Sequence, residues 1–216
     1  MTVILINPNS TDAMTQSALT AARTAAPRVQ FEGWTSVSAP KSIEGPQDGA
    51  RAVPPLLDLV RKASDAGADA IIIACFDDTG LAEAQAIAAC PVIGIGQASY
   101  VIASLLAGPT AVITTVEAAV PVIKANIKAQ GQSATVRHVE AADVPVLTLT
   151  NSPAVALAKF SDAAQKLPAD TVNLILGCSG AVSIKRDLQA DLHLNVIDGV
   201  TAAARLSRVF LTDESV

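Results

Sequence analysis

The sequence lacks the long apolar run that a membrane-spanning helix requires. Half of its 216 residues are hydrophobic, yet each uninterrupted apolar stretch is much shorter than the roughly 18–20 residues that span a bilayer. The N-terminal region also lacks the basic segment, longer apolar core and cleavage site of a secretory signal peptide. These absences predict a core-rich globular protein that acts in the cytoplasm and has no membrane partner.

Clustered positive charge and metal-binding motifs are absent as well. The net charge is −5, and the Lys and Arg residues are scattered singly, which argues against nucleic acid as a partner. The three cysteines form no CxxC motif, and neither His138 nor His193 completes a Cys–His cluster at metal-ligand spacing. Without a signal peptide, three cysteines give no reason to expect a disulfide framework. We expect no bound metal.

Short apolar runs separated by helical segments indicate an α/β protein. The runs are continuous rather than alternating, which is typical of parallel strands covered on both faces. Pro54 and Pro55 are expected to kink or restart the helix predicted over Gln47–Asp65. The predicted strands are Val3–Ile6, Val29–Trp34, Ala70–Ala74, Val92–Ile95, Ala111–Thr114, Thr135–Val139, Val172–Leu176 and Asn195–Ile197.

One pattern occurs twice along the chain. An apolar run leads into Cys75, and 103 residues later a second run leads into Cys178; the next strand follows each cysteine after 17 and 18 residues, respectively. The repeat predicts two pseudosymmetric half-domains, each with a mostly parallel four-stranded sheet flanked by helices. The first half is expected over residues 1–96 and the second over 97–198. The C-terminal helix, over 199–216, is expected to pack back on the first half.

Polar residues follow several predicted strands at their carboxyl ends, where parallel sheets bind ligands. They include Asn7–Ser10, Cys75–Thr79, Thr114–Thr115 and Cys178–Gly180. We therefore expect the active site in the cleft between the two halves. Because these groups are mostly neutral hydrogen-bonding groups, they favour a neutral or singly charged imide or amide over a dicarboxylate.

Two cysteines facing each other across a cleft can act as base and acid on opposite faces of one carbon. A cysteine between a strand and a helix is expected to have its thiolate favoured by backbone N–H groups and the helix dipole. Removing a proton from one face and returning one to the other is racemisation or epimerisation. It needs no cofactor if an adjacent carbonyl makes the C–H bond acidic and donors hold the developing oxyanion.

Structural alternatives apply to the same residues. A cysteine in a strand-rich core is commonly an inert small hydrophobe, and Asp77 and Asp78 could orient a cysteine, bind substrate or cap the next helix. The matching positions of Cys75 and Cys178 favour function for that pair. Cys90 has no counterpart in the second half and is expected to be structural.

Six motifs together resemble the aspartate/glutamate/hydantoin racemase superfamily, and most closely its hydantoin and allantoin racemase branch. The resemblance covers nearly the whole chain in the right order. It implies two pseudosymmetric α/β halves, a cofactor-independent two-cysteine mechanism and a homo-oligomer. The motifs are INPNST at 6–11, SIEGP at 42–46, ACFDDTGL at 74–81, VITT at 112–115, LGCSG at 176–180 and VIDGV at 196–200.

Carried over residue by residue, the resemblance makes Cys75 and Cys178 the acid/base pair. It also places substrate contacts at Asn9, Thr115 and the loop after Cys178. With the donors of the neighbouring loops, the expected substrate-binding set is Asn9, Ser10, Ile43, Phe76, Asp78, Thr79, Thr114, Thr115, Ser179 and Gly180.

Three departures from the branch lie in or beside the expected cleft. Thr79 stands where many hydantoin racemases have proline, and Ser-Gly-Ala follows Cys178 where Ala-Gly-Met is more usual. Gln97 stands where the branch often has glutamate. These differences leave the identity of the substrate open.

The leading hypothesis is a racemase of 5-substituted hydantoins or of a related cyclic ureide such as allantoin, acting by proton transfer at C5. Relatives with other chemistry are the alternatives: an aspartate/glutamate-type racemase, a maleate isomerase or an enzyme like arylmalonate decarboxylase. A further alternative is a non-catalytic protein that binds a small molecule.

Overall fold

A computed structural model describes residues 1–211 of the chain. Within them, strands β1–β8 form two sheets of four parallel strands each, in the orders β2-β1-β3-β4 and β6-β5-β7-β8. The α/β prediction with two half-domains is confirmed. The strands are β1 (Thr2–Asn7), β2 (Gln30–Thr35), β3 (Ala70–Ile73), β4 (Val92–Gly94), β5 (Thr110–Thr114), β6 (Val136–Ala141), β7 (Asn173–Gly177) and β8 (Asn195–Asp198).

Helices cover the sheets and connect the strands. Short 3₁₀ segments lie at Glu117–Ala119, Ser179–Ser183 and Arg208–Phe210. None of the helices described is long and apolar enough to cross a membrane. The α-helices are α1 (Asp12–Ala25), α2 (Pro46–Asp65), α3 (Leu81–Ile87), α4 (Ile95–Ser104), α5 (Val120–Ala129), α6 (Thr148–Asn151), α7 (Pro153–Ala164), α8 (Lys185–Asp191) and α9 (Gly199–Ser207).

Alternating side chains on the inner strands point into different cores, because successive residues of a strand face opposite sides of the sheet. On β3, Ile71 packs in a core beneath α2, whereas Ile72 belongs to a larger core. On β7, Ile175 belongs to that same larger core and Leu176 to a separate one in the second half. One continuous apolar core therefore joins the two halves and fixes the loops at the ends of both sheets.

The C-terminal helix α9 packs against α1 and α4. The sequence predicted a helix over 199–216; the α-helix ends at Ser207, a 3₁₀ turn continues to Phe210, and residues 212–216 lie outside the described part of the chain. The proposed boundary between the halves at residue 96 stays a prediction. It falls inside α4, which also contacts β7 and β8 of the second sheet.

Some helix boundaries differ from those predicted. Pro54 and Pro55 do not divide α2, which runs unbroken from Pro46 to Asp65; Pro54 is on the exposed side, where water can satisfy the carbonyl that loses its backbone donor. Helix α4 begins at Ile95, directly after β4, whereas the sequence predicted that Ile95 would be the last residue of that strand.

Candidate active site

The two cysteines occupy equivalent places in the two sheets. Cys75 follows β3 and Cys178 follows β7, and each of these strands is third in the order of its sheet. Both side chains line a single cleft, to which both halves contribute residues. The folding of two similar sheets around one core therefore brings together two thiols that are far apart in sequence.

Eight of the predicted site residues line this cleft, and the structure adds others. The added residues include the apolar side chains of Met14, Ala119 and Val146, together with Asp77 and Gly177. An apolar side chain carries no chemical signal in a single sequence, so these walls could not be told from core. The predicted residues that line the cleft are Cys75, Cys178, Asn9, Ile43, Phe76, Thr114, Thr115 and Ser179.

The Cys75 thiol is held by its own loop. Its sulfur lies 3.4 Å from the hydroxyl oxygen of Thr79 and receives a hydrogen bond from the backbone N–H of Asp77. Removal from water nevertheless raises the pKa of the Cys75 thiol well above its ordinary value, and the negative charge of Asp77 raises it further. Cys75 is therefore a thiol at neutral pH in this arrangement.

Cys178 shows the same balance of effects. Burial raises the pKa of its thiol to about 12, and the backbone N–H groups of Gly180 and Ala181, which favour the thiolate, only partly oppose this. The carboxylates of Asp77 and Glu44 raise this pKa as well. The expectation that the loop would favour the thiolate is thus wrong in its net result, because desolvation outweighs the hydrogen bonds.

Among the charged groups, the carboxyl group of Asp77 has the largest electrostatic effect on the pKa of both thiols. Burial raises its pKa to about 7. Within residues 1–211, no Lys, Arg or His side chain forms an ion pair with it. Its charge therefore changes near neutral pH, and that change alters the field at both sulfur atoms.

The side chain of Asn9 offers a hydrogen-bond donor to the cleft. Its Oδ1 accepts from Asn7 Nδ2 at 2.9 Å and from the backbone N–H of Thr11 at 2.9 Å. Among residues 1–211, the only hydrogen-bond partner of its Nδ2 is the sulfur of Met14, at 3.5 Å, and a thioether is a weak acceptor. The network fixes the amide orientation and leaves the donor end available to a carbonyl oxygen.

The two threonines at the carboxyl end of β5, Thr114 and Thr115, differ in what their hydroxyls bind. The Thr114 hydroxyl donates to the carbonyl oxygen of Gly177 at 3.0 Å and so joins β5 to β7. Across residues 1–211, the hydroxyls of Thr115 and Ser179 have no hydrogen-bond partner, although both residues line the cleft. These two hydroxyls complete a set of neutral donors around the thiols.

Four predicted substrate-binding residues do not line the cleft. Ser10 is tied by its backbone N–H to the carbonyl of Pro40 at 2.9 Å. Thr79 and Gly180 instead contact the sulfur atoms of Cys75 and Cys178, respectively.

Asp78 is the fourth. It binds the Gly96 backbone and the Gln130 side chain and does not cap α3, whose N-cap is Gly80. A direct role for these four residues in binding substrate stays a prediction.

Potential metal ligands do not converge in the described chain. Residues 1–211 contain no group of three or more His, Cys, Asp or Glu side chains that could hold a metal ion.

Comparison with known proteins agrees with this geometry. The family model described as Asp/Glu/Hydantoin racemase matches residues 3–207. The chain belongs to this family. It is 38% identical to the hydantoin racemase of Rhizobium meliloti, over 98% of this chain and 89% of the relative.

Two solved structures share its fold closely. The allantoin racemase from Klebsiella pneumoniae is 31% identical and superposes with a TM-score of 0.91, covering 97% of this chain and 86% of that one. The allantoin racemase from Pseudomonas fluorescens is 28% identical with the same TM-score, covering 97% and 90%. These similarities confirm the predicted superfamily and the enzyme class, an isomerase of the racemase type.

Proposed function

We propose that the protein is a cofactor-independent racemase of 5-substituted hydantoins or of a related cyclic ureide such as allantoin. Cys75 and Cys178 are the acid/base pair in this proposal. The observation that carries it is the pair of thiols at equivalent strand ends, lining one cleft from opposite halves. The hydantoin and allantoin racemases among the similar proteins support the substrate class.

In the proposed reaction, one cysteine as thiolate takes the proton from C5 of the ring. The electron pair moves into the adjacent carbonyl, giving a planar enolate. The other cysteine, as thiol, donates its proton to C5 from the opposite face. The opposite enantiomer reacts with the two cysteines in exchanged roles, so the enzyme needs no second site.

Neutral donors around the thiols are suited to the enolate oxygen. The Nδ2 group of Asn9 and the hydroxyls of Thr115 and Ser179 are available for it. Preorganised donors of this kind stabilise charge that develops in the transition state. We assign them to the two ring carbonyl oxygens, of which the one on C4, next to C5, becomes the enolate oxygen.

The charge of the cleft favours a ureide over an amino acid. In the part of the chain that the structure describes, residues 1–211, no Lys, Arg or His side chain lines the cleft, whereas the Asp77 carboxyl group does. A substrate with two carboxylates would find no cationic partner there and would be repelled by Asp77. This observation supports hydantoins over aspartate or glutamate.

Substrate binding requires the cleft to widen. The free volume of the cleft is about 20 Å³, room for about one water molecule. A five-membered ring with two carbonyl groups occupies several times the ~30 Å³ of a water molecule. Closure over the ring would then exclude water and bring both thiols to C5.

Proton NMR in D₂O combined with polarimetry tests this function. L- and D-5-substituted hydantoins and both enantiomers of allantoin are incubated with the enzyme, and the rate without enzyme is subtracted because C5 also exchanges spontaneously. We expect enzyme-dependent loss of the C5 proton signal together with loss of optical rotation. If the enzyme neither exchanges the C5 proton nor changes the optical rotation of any compound in this panel, the proposal is contradicted. Aspartate, glutamate, maleate and arylmalonates are then the substrates to test.

Serine variants assign the two thiols. Cys75→Ser and Cys178→Ser should each reduce racemisation by at least about 10³-fold, since a hydroxyl cannot replace the thiolate as base. Each variant should retain some C5 exchange with only one enantiomer, the one whose proton the remaining cysteine takes. Cys90→Ser is the matched control, because Cys90 lies outside the cleft. Full racemisation by both cleft variants would rule out the two-cysteine mechanism.

A further inference from the structure

Helix α5 of the second half and Gln130, the residue that follows it, contact the Cys75 loop through two amide side chains. Asn126 Nδ2 donates to the carbonyl oxygen of Asp77 at 2.6 Å. Gln130 Nε2 donates to Oδ2 of Asp78 at 2.9 Å. The two residues are four apart and therefore lie on the same face of the helical turn.

The Asn126 bond bears directly on the Cys75 thiol. The Asp77 peptide carbonyl accepts from Asn126, while the backbone N–H of Asp77 donates to the Cys75 sulfur. The backbone N–H of Asp78 in turn donates to the Cys75 carbonyl at 3.1 Å. Any shift of α5 would therefore alter the position of the sulfur.

The other carboxylate oxygen of Asp78 is bound to a third element. Oδ1 accepts from the backbone N–H of Gly96 at 3.0 Å, and the Gln97 N–H also points at this carboxyl group. These N–H groups lie in the first turn of α4, where a carboxylate satisfies free donors and complements the helix dipole. Asp78 thus joins the Cys75 loop to the N-terminus of α4 and to the C-terminal end of α5.

Close packing leaves this loop little freedom. A Cβ atom at Gly94 would lie 2.1 Å from Asp78 Oδ1, and one at Gly96 would lie 2.4 Å from the Phe76 carbonyl oxygen. Asp78 itself is 8% exposed and has a φ of 47°, a left-handed conformation that Asp and Asn tolerate better than other non-glycine residues. The loop therefore has one arrangement, in which the hydrogen bonds from Asn126 to Asp77 and from Gln130 and Gly96 to Asp78 all form.

We propose that Asp78, Asn126 and Gln130 form a latch that sets the position of the Cys75 thiol relative to Cys178. This deepens, and rests on, the proposed two-cysteine racemisation. Helix α5 begins shortly after Thr115, in the half that contains Cys178. The latch thus ties Cys75 to the half that supplies its partner. Asp78 is in this proposal a positioning residue that acts through Cys75, and it does not contact the substrate.

Positioning predicts a particular kinetic result. Two proton transfers on opposite faces of one carbon depend steeply on distance, and a misplacement of about 1 Å can cost on the order of 10²-fold in rate. We expect Asn126→Ala and Gln130→Ala to lower kcat by about 10- to 100-fold while KM changes by less than about threefold. Lys128→Ala, an exposed residue of the same helix, is the control and should leave both constants unchanged.

Exchange of the two partners provides a test by rescue. Gln130→Glu places a second carboxylate against Asp78 and should lower kcat at least as much as Gln130→Ala. Adding Asp78→Asn restores complementary groups, since the new amide can donate to the new carboxylate while its oxygen still accepts from Gly96. We expect the double variant to regain most of the lost kcat. A double variant as slow as Gln130→Glu alone would overturn the proposal.

Thiol alkylation tests the latch independently of racemase activity. Enzyme is treated with iodoacetamide, and modification of each cysteine is followed by mass spectrometry of its peptide. We expect Asn126→Ala and Gln130→Ala to change the alkylation rate at Cys75 by at least about fivefold, with Cys178 within twofold of the parent protein. Equal changes at both cysteines, or none at Cys75, would contradict the latch. This result stands even if the parent protein racemises no compound in the panel, an outcome that would reject only the proposed function.

Discussion

The hydroxyl oxygen of Thr79 lies 3.4 Å from the sulfur of Cys75, at the position where the resemblance to hydantoin racemases led us to expect proline. A proline has no side-chain donor and no backbone N–H. In this chain the hydroxyl favours the Cys75 thiolate against the burial that disfavours it. Threonine in place of the expected proline therefore adds a hydrogen-bonding group beside a proposed catalytic thiol.

Removal of this hydroxyl should make Cys75 a weaker acid. Thr79→Val retains the shape of the side chain but loses the donor, so the pKa of Cys75 rises and its thiolate becomes rarer. We expect alkylation of Cys75 by iodoacetamide at pH 8 to slow about 3- to 10-fold, with Cys178 unchanged. Thr79→Ser, which retains the hydroxyl, is the control. Faster alkylation of Cys75 in Thr79→Val would show that exposure, not hydrogen bonding, governs this thiol.

The racemisation rate should rise with pH across the neutral range. Burial holds the pKa of Cys178 at about 12 and that of Cys75 above its ordinary value, so raising the pH increases the small fraction of enzyme with one thiolate. We expect kcat/KM to increase continuously from pH 6 to pH 9, by up to about tenfold per unit. The value of kcat/KM should fall again only at higher pH, where the second thiol also ionises and can no longer donate a proton. The rate without enzyme must be subtracted at each pH, and a bell-shaped profile centred near pH 7 would contradict this assignment.

Stability should depend on the charge of Asp77. Its pKa is raised from 3.8 to about 7 in the folded protein, so its contribution is fully present below pH 4 and is lost as the pH rises through 7. A shift of about three units corresponds to a free energy on the order of 4 kcal/mol. Asp77→Asn removes this titration, so between pH 5 and pH 8 the variant should lose less stability than the parent protein.

Urea unfolding at pH 5 and pH 8 measures this difference. Asp78 also titrates in both proteins, and its pKa should fall in Asp77→Asn because the negative charge of Asp77 no longer raises it; this second effect also makes the variant lose less stability as the pH rises. Asp58→Asn, at an exposed ion pair with Arg61, is a control that should change little. The same loss of stability with pH in Asp77→Asn as in the parent protein would show that Asp77 is not the titrating group.

Much of the framework of the site could be predicted from the sequence. β3 and β7 are continuous apolar runs that end in polar turns, and such runs are buried central strands in a parallel sheet. The repeat then placed Cys75 and Cys178 at corresponding strand ends. Short-range patterns were sufficient because each strand and its turn are specified locally.

Other features depend on contacts that no local pattern encodes. Helix α4 begins at Ile95 because Asp78, 18 residues from Gly96, supplies the acceptor for its first turn. The raised pKa values of the thiols arise from burial between two halves that are distant in sequence. The spacing of Asn126 and Gln130 is readable as one helix face, but the loop they bind is not.

The adjacent residues Thr114 and Thr115 should separate stability from activity. The Thr114 hydroxyl is bound to the Gly177 carbonyl in a fully buried position, so Thr114→Val leaves that oxygen unpaired and should cost about 1–3 kcal/mol of unfolding free energy.

The Thr115 hydroxyl faces the cleft with no bond to residues 1–211. Thr115→Val should therefore leave the unfolding free energy within about 0.5 kcal/mol and lower kcat about 10- to 100-fold, because one donor to the enolate is lost. Urea unfolding and the NMR exchange assay, applied to both variants, measure the two effects. If Thr115→Val retains full kcat, the enolate oxygen is bound elsewhere in the cleft, and Asn9 and Ser179 become the donors to vary next.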